Sequence, residues 1–237
     1  MSLIKEYEDI CMSWPQNLII NGSSNSGKSS WCYFLIRDLS YCMKNVPKDV
    51  RLIYIFNVKQ WFFEDLKKRD IKIEFFRRFD DPVLLDESYF RDSFVVVVDC
   101  LDLAPKGWAK NIYTKAAHGY NFSIASIIHN LYDPTIPDLR TINLNAGICV
   151  FLSSPRALSS VHTFARQTFT GNVPFFLSVY HQLTKKSYGY LLTNLSPSCP
   201  SELRLQSCIF EFEKPLTVFI NYKDIQALKD KKDEETD

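Results

Sequence analysis

The chain is poor in several things that would narrow its role at once. Its 28 basic and 27 acidic side chains leave a formal net charge of +1. No global field therefore advertises a nucleic-acid partner, and any such contact has to come from local patches. The seven cysteines are an odd number, contain no CxxC pair and have no His-x-x-x-His set beside them. That argues against a zinc site or a disulfide framework and fits reduced thiols in a cytosolic or nuclear protein. No apolar run approaches the roughly 18 residues that suggest a membrane span. The first residues, MSLIKEYEDI, carry acids and lack the apolar stretch of a secretory signal. The chain is thus expected neither to cross a membrane nor to be secreted. Glycine is scarce at 7 residues, and no internal repeat or Ser/Pro/Gly-rich linker interrupts the pattern. One domain is expected over residues 1–222, followed by a charged tail, KDIQALKDKKDEETD (223–237), that frays.

What is present is an alternation of strands and helices. Strands are expected at NLII (17–20), RLIYIF (51–56), IKIEFF (71–76), FVVVV (94–98), FSIASII (122–128) and GICVFL (147–152). Further strands are expected at GYLLTNL (189–195), SCIFEF (207–212) and LTVFI (216–220). FVVVV and FSIASII do not alternate, as befits central strands buried on both faces. IKIEFF alternates and reads as half-buried. Helices are expected over 28–43, 61–68, 106–118, 139–145 and within 153–169. In the first helix Tyr33, Leu35, Ile36, Leu39 and Met43 are available for the inner face. The order implies a mostly parallel sheet with helices on both faces.

Between the first strand and the first helix lies Gly22-Ser23-Ser24-Asn25-Ser26-Gly27-Lys28-Ser29-Ser30, which matches GxxxxGK[ST]. Each residue type has a physical reason. The glycines let the backbone turn tightly and approach a phosphate. The loop N–H groups and the following helix N-terminus form an anion-binding nest. Lys28 neutralises phosphate oxygens, and the Ser29 hydroxyl is a Mg²⁺ ligand. The strand before the loop and the helix after it are the required context, which points to ATP with Mg²⁺ as the ligand. A second strand of such a fold should end in an Asp that holds the ion, and FVVVV ends in Asp99. Hydrolysis also needs a group that orients water. The residue after Asp99 is Cys100, a poor base beside a carboxylate, and Asp102 is the nearest substitute.

These motifs, with AAHGYNFSIASIIHNLY, RTINLNAGICVFLSSPR, FARQTF and GYLLTNLSPSCPSELRLQSCIF in that order, give the chain a wider likeness. It resembles the genome-packaging ATPases of the FtsK–HerA superfamily, in the form found in poxvirus-like viruses and Maverick (Polinton) elements. The resemblance runs from about residue 17 to about residue 212. It implies a RecA-like (ASCE) P-loop NTPase core. It also implies a homo-oligomeric ring, pentamer or hexamer, that drives double-stranded DNA into a capsid. A capsid or portal-vertex protein is the implied partner, and virion assembly sites in the host cytoplasm or nucleus the implied location. In such rings a neighbour's arginine reaches the γ-phosphate. Arg156 in SSPR and Arg166 in FARQ match that role, with Arg140 a third candidate. The chain departs from the family pattern at Cys100, where a second acid is usual, and at His129-Asn130, where Gln-Asn is common. Asn130 still suits the sensor role, since its amide can orient a water and a phosphate oxygen.

Candidate DNA contacts are Lys67-Lys68-Arg69, Arg77-Arg78 and Lys185-Lys186. Trp61, Phe62, Phe63, Phe75, Phe76 and Phe79 lie near the first two. A ring would repeat each patch, and a grip on phosphates would read no base sequence. Two alternatives stay open: a nucleotide-binding packaging or assembly factor with weakened hydrolysis, and, more distantly, a nucleotide kinase.

Overall fold

The computed structural model describes residues 2–7, 12–69, 72–213 and 215–221. The tail expected to fray, Cys11 and Ile71 lie outside the described residues. The strands are β1 (Ser2–Tyr7), β2 (Asn17–Asn21), β3 (Arg51–Phe56), β4 (Ile73–Arg77) and β5 (Ser93–Val98). They continue with β6 (Ser123–Ile128), β7 (Ile148–Leu152), β8 (Tyr190–Asn194), β9 (Leu205–Ser207) and β10 (Leu216–Asn221). The helices are α1 (Lys28–Arg37), α2 (Leu39–Cys42), α3 (Phe63–Lys68), α4 (Trp108–Gly119), α5 (Leu139–Asn145), α6 (Leu158–Thr168) and α7 (Val173–Thr184).

All ten strands join one sheet in the order β1-β10-β9-β8-β7-β2-β6-β5-β3-β4. From β7 to β4 every neighbour is parallel. From β7 back to β1 every neighbour is antiparallel. The fold is the expected α/β architecture with a mostly parallel centre, extended by an antiparallel wing. The wing includes β1, a strand not expected from the sequence.

The central strands read as unbroken apolar runs because both faces of the sheet are covered. One register row crosses the sheet through Ile148, Leu18, Ala125, Val96 and Tyr54. All five belong to the apolar layer that also holds Trp31, Leu35 and Ile36 of α1. Their strand neighbours Ile19, Ile53, Val95, Val97 and Cys149 point the other way, into the layer with α4 to α7. This side-to-side alternation is the period of two of any strand, with no polar face left over.

Three segments differ from expectation. The helix over 28–43 breaks at Asp38, which caps α1 through its N–H to the Phe34 carbonyl and pairs with Arg37 at 2.6 Å. The five apolar side chains expected on its inner face are nonetheless all buried. SCIFEF (207–212) is not a strand. Only Leu205–Ser207 pairs, and Cys208 adopts a left-handed φ of 57°. The chain then turns Ile209 and Phe210 into the core, where Phe210 meets Trp31 at 5.5 Å. Their N–H groups find side-chain partners in place of a sheet neighbour. Ile209 donates to the Tyr190 hydroxyl and Phe210 to the Glu213 carboxylate. Third, no element is expected at 173–184, where α7 forms. Its signal is Pro174 in the first turn followed by Phe176, Val179, Tyr180 and Leu183 at helical spacing.

The six cysteines among the described residues are all free, and five are buried. Among the described residues no helix is long and apolar enough to cross a membrane.

Candidate functional site

The parallel strands all point the same way, so their carboxyl ends share one edge. That edge is where open α/β sheets hold ligands. The phosphate loop leaves β2 there, Asp99 leaves β5, and His129 and Asn130 leave β6. A cleft of about 520 Å³ opens between them, lined among others by Ser24, Asn25, Lys28, Ser29, Asp99, His129, Gln60 and Tyr188.

Two glycines allow the loop its shape. Gly27 has φ 100° at the N-cap of α1, a conformation side chains rarely adopt, and a Cβ there would meet the Tyr188 ring at 2.8 Å. A Cβ on Gly22 would lie 2.5 Å from Ser26 Oγ. Ser23 anchors the loop to the next strand, its hydroxyl donating to the Ser153 carbonyl at 2.9 Å. Ser26 Oγ is buried against the loop without a hydrogen-bond partner, a polar atom that a ligand in the loop could satisfy.

Lys28 is 6% exposed and folds back on the loop. Its ammonium donates to the Gly22 and Ser23 carbonyls, each at 2.8 Å, and lies 3.3 Å from His129 Nδ1. Burial lowers its pKa below the usual lysine value, and the Asp99 charge partly opposes this. An ammonium can only donate, so Nδ1 of His129 accepts. Its Nε2 lies 3.3 Å from Asp99 Oδ1. His129 thus bridges the loop lysine and the strand-end aspartate. This strand-end histidine holds the two halves of the site together.

Asp99 reaches the cleft by a backbone reversal. Val98 faces the α1 layer, so strict alternation would send Asp99 to the opposite face and Cys100 to the α1 side. Asp99 instead adopts φ 49°, which ends the alternation. Its carboxylate lines the cleft, and Cys100 drops into the α4–α7 core with no exposed surface. Burial pushes the Cys100 thiol up to about 12. It is a neutral core thiol, not a stand-in for an acid at the site. Asp102 is exposed on the 3₁₀ turn Leu101–Leu103 and is not brought into the cleft.

Asn130 lies just outside the cleft. Its Oδ1 accepts from the Ser160 hydroxyl at 2.6 Å and from the Tyr132 N–H at 3.1 Å. Those bonds fix the carboxamide and leave its NH₂ as the group able to serve a ligand. Arg156, Arg166 and Arg140 are all exposed, and none lines this cleft.

Ser29 and Asp99 share the cleft wall. A hydroxyl and a carboxylate are hard oxygen ligands of the kind Mg²⁺ takes alongside phosphate oxygens and water. Among the described residues no cluster of three His, Cys, Asp or Glu side chains could hold a metal by itself. The donor set fits an ion carried in with a nucleotide.

The proposed DNA contacts fare differently from one another. Phe62 and Phe63 are core residues, and Phe79 packs on Trp108 at 4.7 Å. Trp61 alone among those six aromatics is strongly exposed, at 68%. Lys67 and Arg69 pair with Glu64 and Asp65 along α3. Lys185 and Lys186 are not a remote patch: they wall a second cleft against Ser23 to Ser26 of the phosphate loop. Between the two clefts stands Tyr188, a residue the sequence did not single out. Its local signal, a KKSYG turn, says nothing of what it will touch.

No protein-family model and no curated protein matches the chain. Among solved structures it is similar to the genome packaging NTPase B204 of Sulfolobus turreted icosahedral virus 2. In complex with AMP, that protein superposes with a TM-score of 0.48 at 9% identity, over 76% of this chain and 92% of that one. The AMPPCP complex gives 0.48 at 10% identity, over 78% and 94%. The complex with ATP-gammaS gives 0.45 at 10% identity, over the same shares.

Proposed function

We propose that this chain is an ATPase that moves double-stranded DNA into a capsid as part of a ring of five or six subunits. The observation that carries the nucleotide part is the meeting of Lys28, His129 and Asp99 in one cleft at the mouth of the phosphate loop. The DNA and capsid parts rest on the ordered motifs from the phosphate loop to GYLLTNL. Virion assembly sites in the host cell are the corresponding location.

The residues divide the work as follows. The loop amides and the α1 N-terminus cradle the phosphates. Lys28 exchanges the Gly22 and Ser23 carbonyls for phosphate oxygens. Ser29 and Asp99 would hold Mg²⁺, which would supply charge that neutralises the phosphates. His129, with Nε2 beside it, orders the carboxylate of Asp99. The Asn130 NH₂ orients water. Arg156 or Arg166 of a neighbouring subunit meets the charge that builds on the γ-phosphate. The test is ATP turnover with and without double-stranded DNA of random sequence, alongside the assembly state. Stimulation by DNA, independent of its sequence and weakened by salt, is expected. A lack of stimulation together with a lack of ring formation under any condition would sink the reading.

One observation favours a second reading, a nucleotide-binding assembly factor with slow hydrolysis. Among the described residues lining the cleft, Asp99 is the sole acid. Asp102→Ala separates the two. Under the second reading turnover is already slow and stays within about twofold. A fast wild-type enzyme that loses about a hundredfold or more in Asp102→Ala would make Asp102 the base after all.

A further inference from the structure

We propose that the turn between α7 and β8 is the base subsite, with the Tyr188 ring stacking on the aromatic base of the bound nucleotide. The proposal rests on the nucleotide reading above and adds where the nucleoside lies and what holds it.

Strand order sets the direction of the ligand. Asp99 and His129 come off β5 and β6, on one side of β2. They mark the end where the ion and the terminal phosphate belong. Tyr188 precedes β8, which lies beyond β7 on the other side of β2. A nucleotide with its γ-phosphate at Asp99 and its chain wrapped by the loop leaves the loop toward Tyr188.

The second cleft is built to receive it. It measures about 390 Å³ and shares Ser24, Asn25 and Tyr188 with the first, so the two adjoin along the loop and the Tyr188 ring. That size lies within the roughly 300–1,000 Å³ of small-ligand sites. Lys185 and Lys186 supply positive charge along the wall where an α-phosphate passes.

Tyr188 itself is placed against its ordinary preferences. The residue is 70% exposed, and its backbone holds a left-handed φ of 63°. A non-glycine residue pays for that conformation, and such residues gather at ligand clamps. The turn is closed by the Gly189 N–H to the Lys186 carbonyl at 3.0 Å. The ring lies directly on Gly27, where only a missing Cβ permits the contact. The other exposed aromatic nearby, Trp61, follows Gln60 beyond the end of β3 and stands on the Asp99 side. It is at the wrong end for a base.

The experiment is calorimetric titration of the full chain, in Mg²⁺, with ATP and separately with inorganic tripolyphosphate. Tyr188→Ala is expected to weaken ATP by about ten- to a hundredfold, the range that base–aromatic stacking supplies. Tripolyphosphate, which has no base, should change by less than about twofold. Tyr188→Phe should retain ATP affinity, and Trp61→Ala should match wild type for both ligands. Unchanged ATP binding in Tyr188→Ala would overturn the proposal. So would an equal loss of both ligands, which would make the ring a prop for Gly27. A wild-type chain that binds neither ligand would remove the nucleotide reading itself, and the base subsite with it.

Discussion

Cys100→Glu is expected to destabilise the protein and leave turnover no faster. From the sequence alone the opposite result is natural, because the thiol follows the strand-end aspartate, where a second acid would serve as a base. In the fold Cys100 has no exposed surface and sits among Leu101, Ala104 and the apolar layer beneath α4. A carboxylate placed there is desolvated among apolar side chains, and Arg78, the cation whose charge is felt at Cys100, is itself exposed to solvent. The cost is about 3–5 kcal/mol, the range for an uncompensated buried charge. For a chain of this size that is a fall of roughly 10 °C in melting temperature. Cys100→Ala removes a sulfur without adding charge and should cost about 1–2 kcal/mol. Melting curves of the two variants check the prediction. A Cys100→Glu protein that melts with wild type and turns over tenfold faster would show that the side chain reaches the cleft.

The second large effect belongs to Lys28→Met, which keeps the aliphatic stem and removes the charge. ATP turnover should fall by about a hundred- to a thousandfold, as when one preorganised donor to transition-state charge is deleted. The fold should survive. Replacing a buried charge by an apolar chain is often neutral or better, although the Gly22 and Ser23 carbonyls lose a donor. The pH dependence of stability carries a separate signature. Burial lowers the Lys28 pKa in the folded chain, so over a window below the usual lysine value the unfolded chain binds more protons than the folded one. Stability then rises with pH through that window, and Lys28→Met should lack that rise. Denaturant midpoints across alkaline pH in the two proteins measure it. Equal turnover in Lys28→Met and wild type would remove this loop from the chemistry.

The phosphate loop, Asp99 at a strand end and the parallel α/β centre were legible in the sequence because each is local. A glycine pattern, an apolar run and a following helix specify themselves within a few neighbours. The inner face of the 28–43 segment was legible for the same reason: Tyr33, Leu35, Ile36, Leu39 and Met43 follow helical spacing and all became core, although the helix breaks at Asp38. SCIFEF shows the limit of such reading. Its apolar residues suit a strand, and only the side-chain partners Tyr190 and Glu213, distant from or beyond it, let the backbone leave the sheet.

The site itself was half legible. The sequence by itself determined which residue types could bind a phosphate and a hard cation. Tertiary structure alone decided three things. It turned Asp99 inward and Cys100 away, through one left-handed residue whose effect on side-chain direction no composition records. It set His129 between Lys28 and Asp99, three residues about thirty to a hundred positions apart that meet because β2, β6 and β5 are adjacent. It carried Lys185, Lys186 and Tyr188 from an unremarkable turn to the rim of the phosphate loop. Contacts between distant segments depend on strand order and register, and these follow from how the whole sheet buries both its faces.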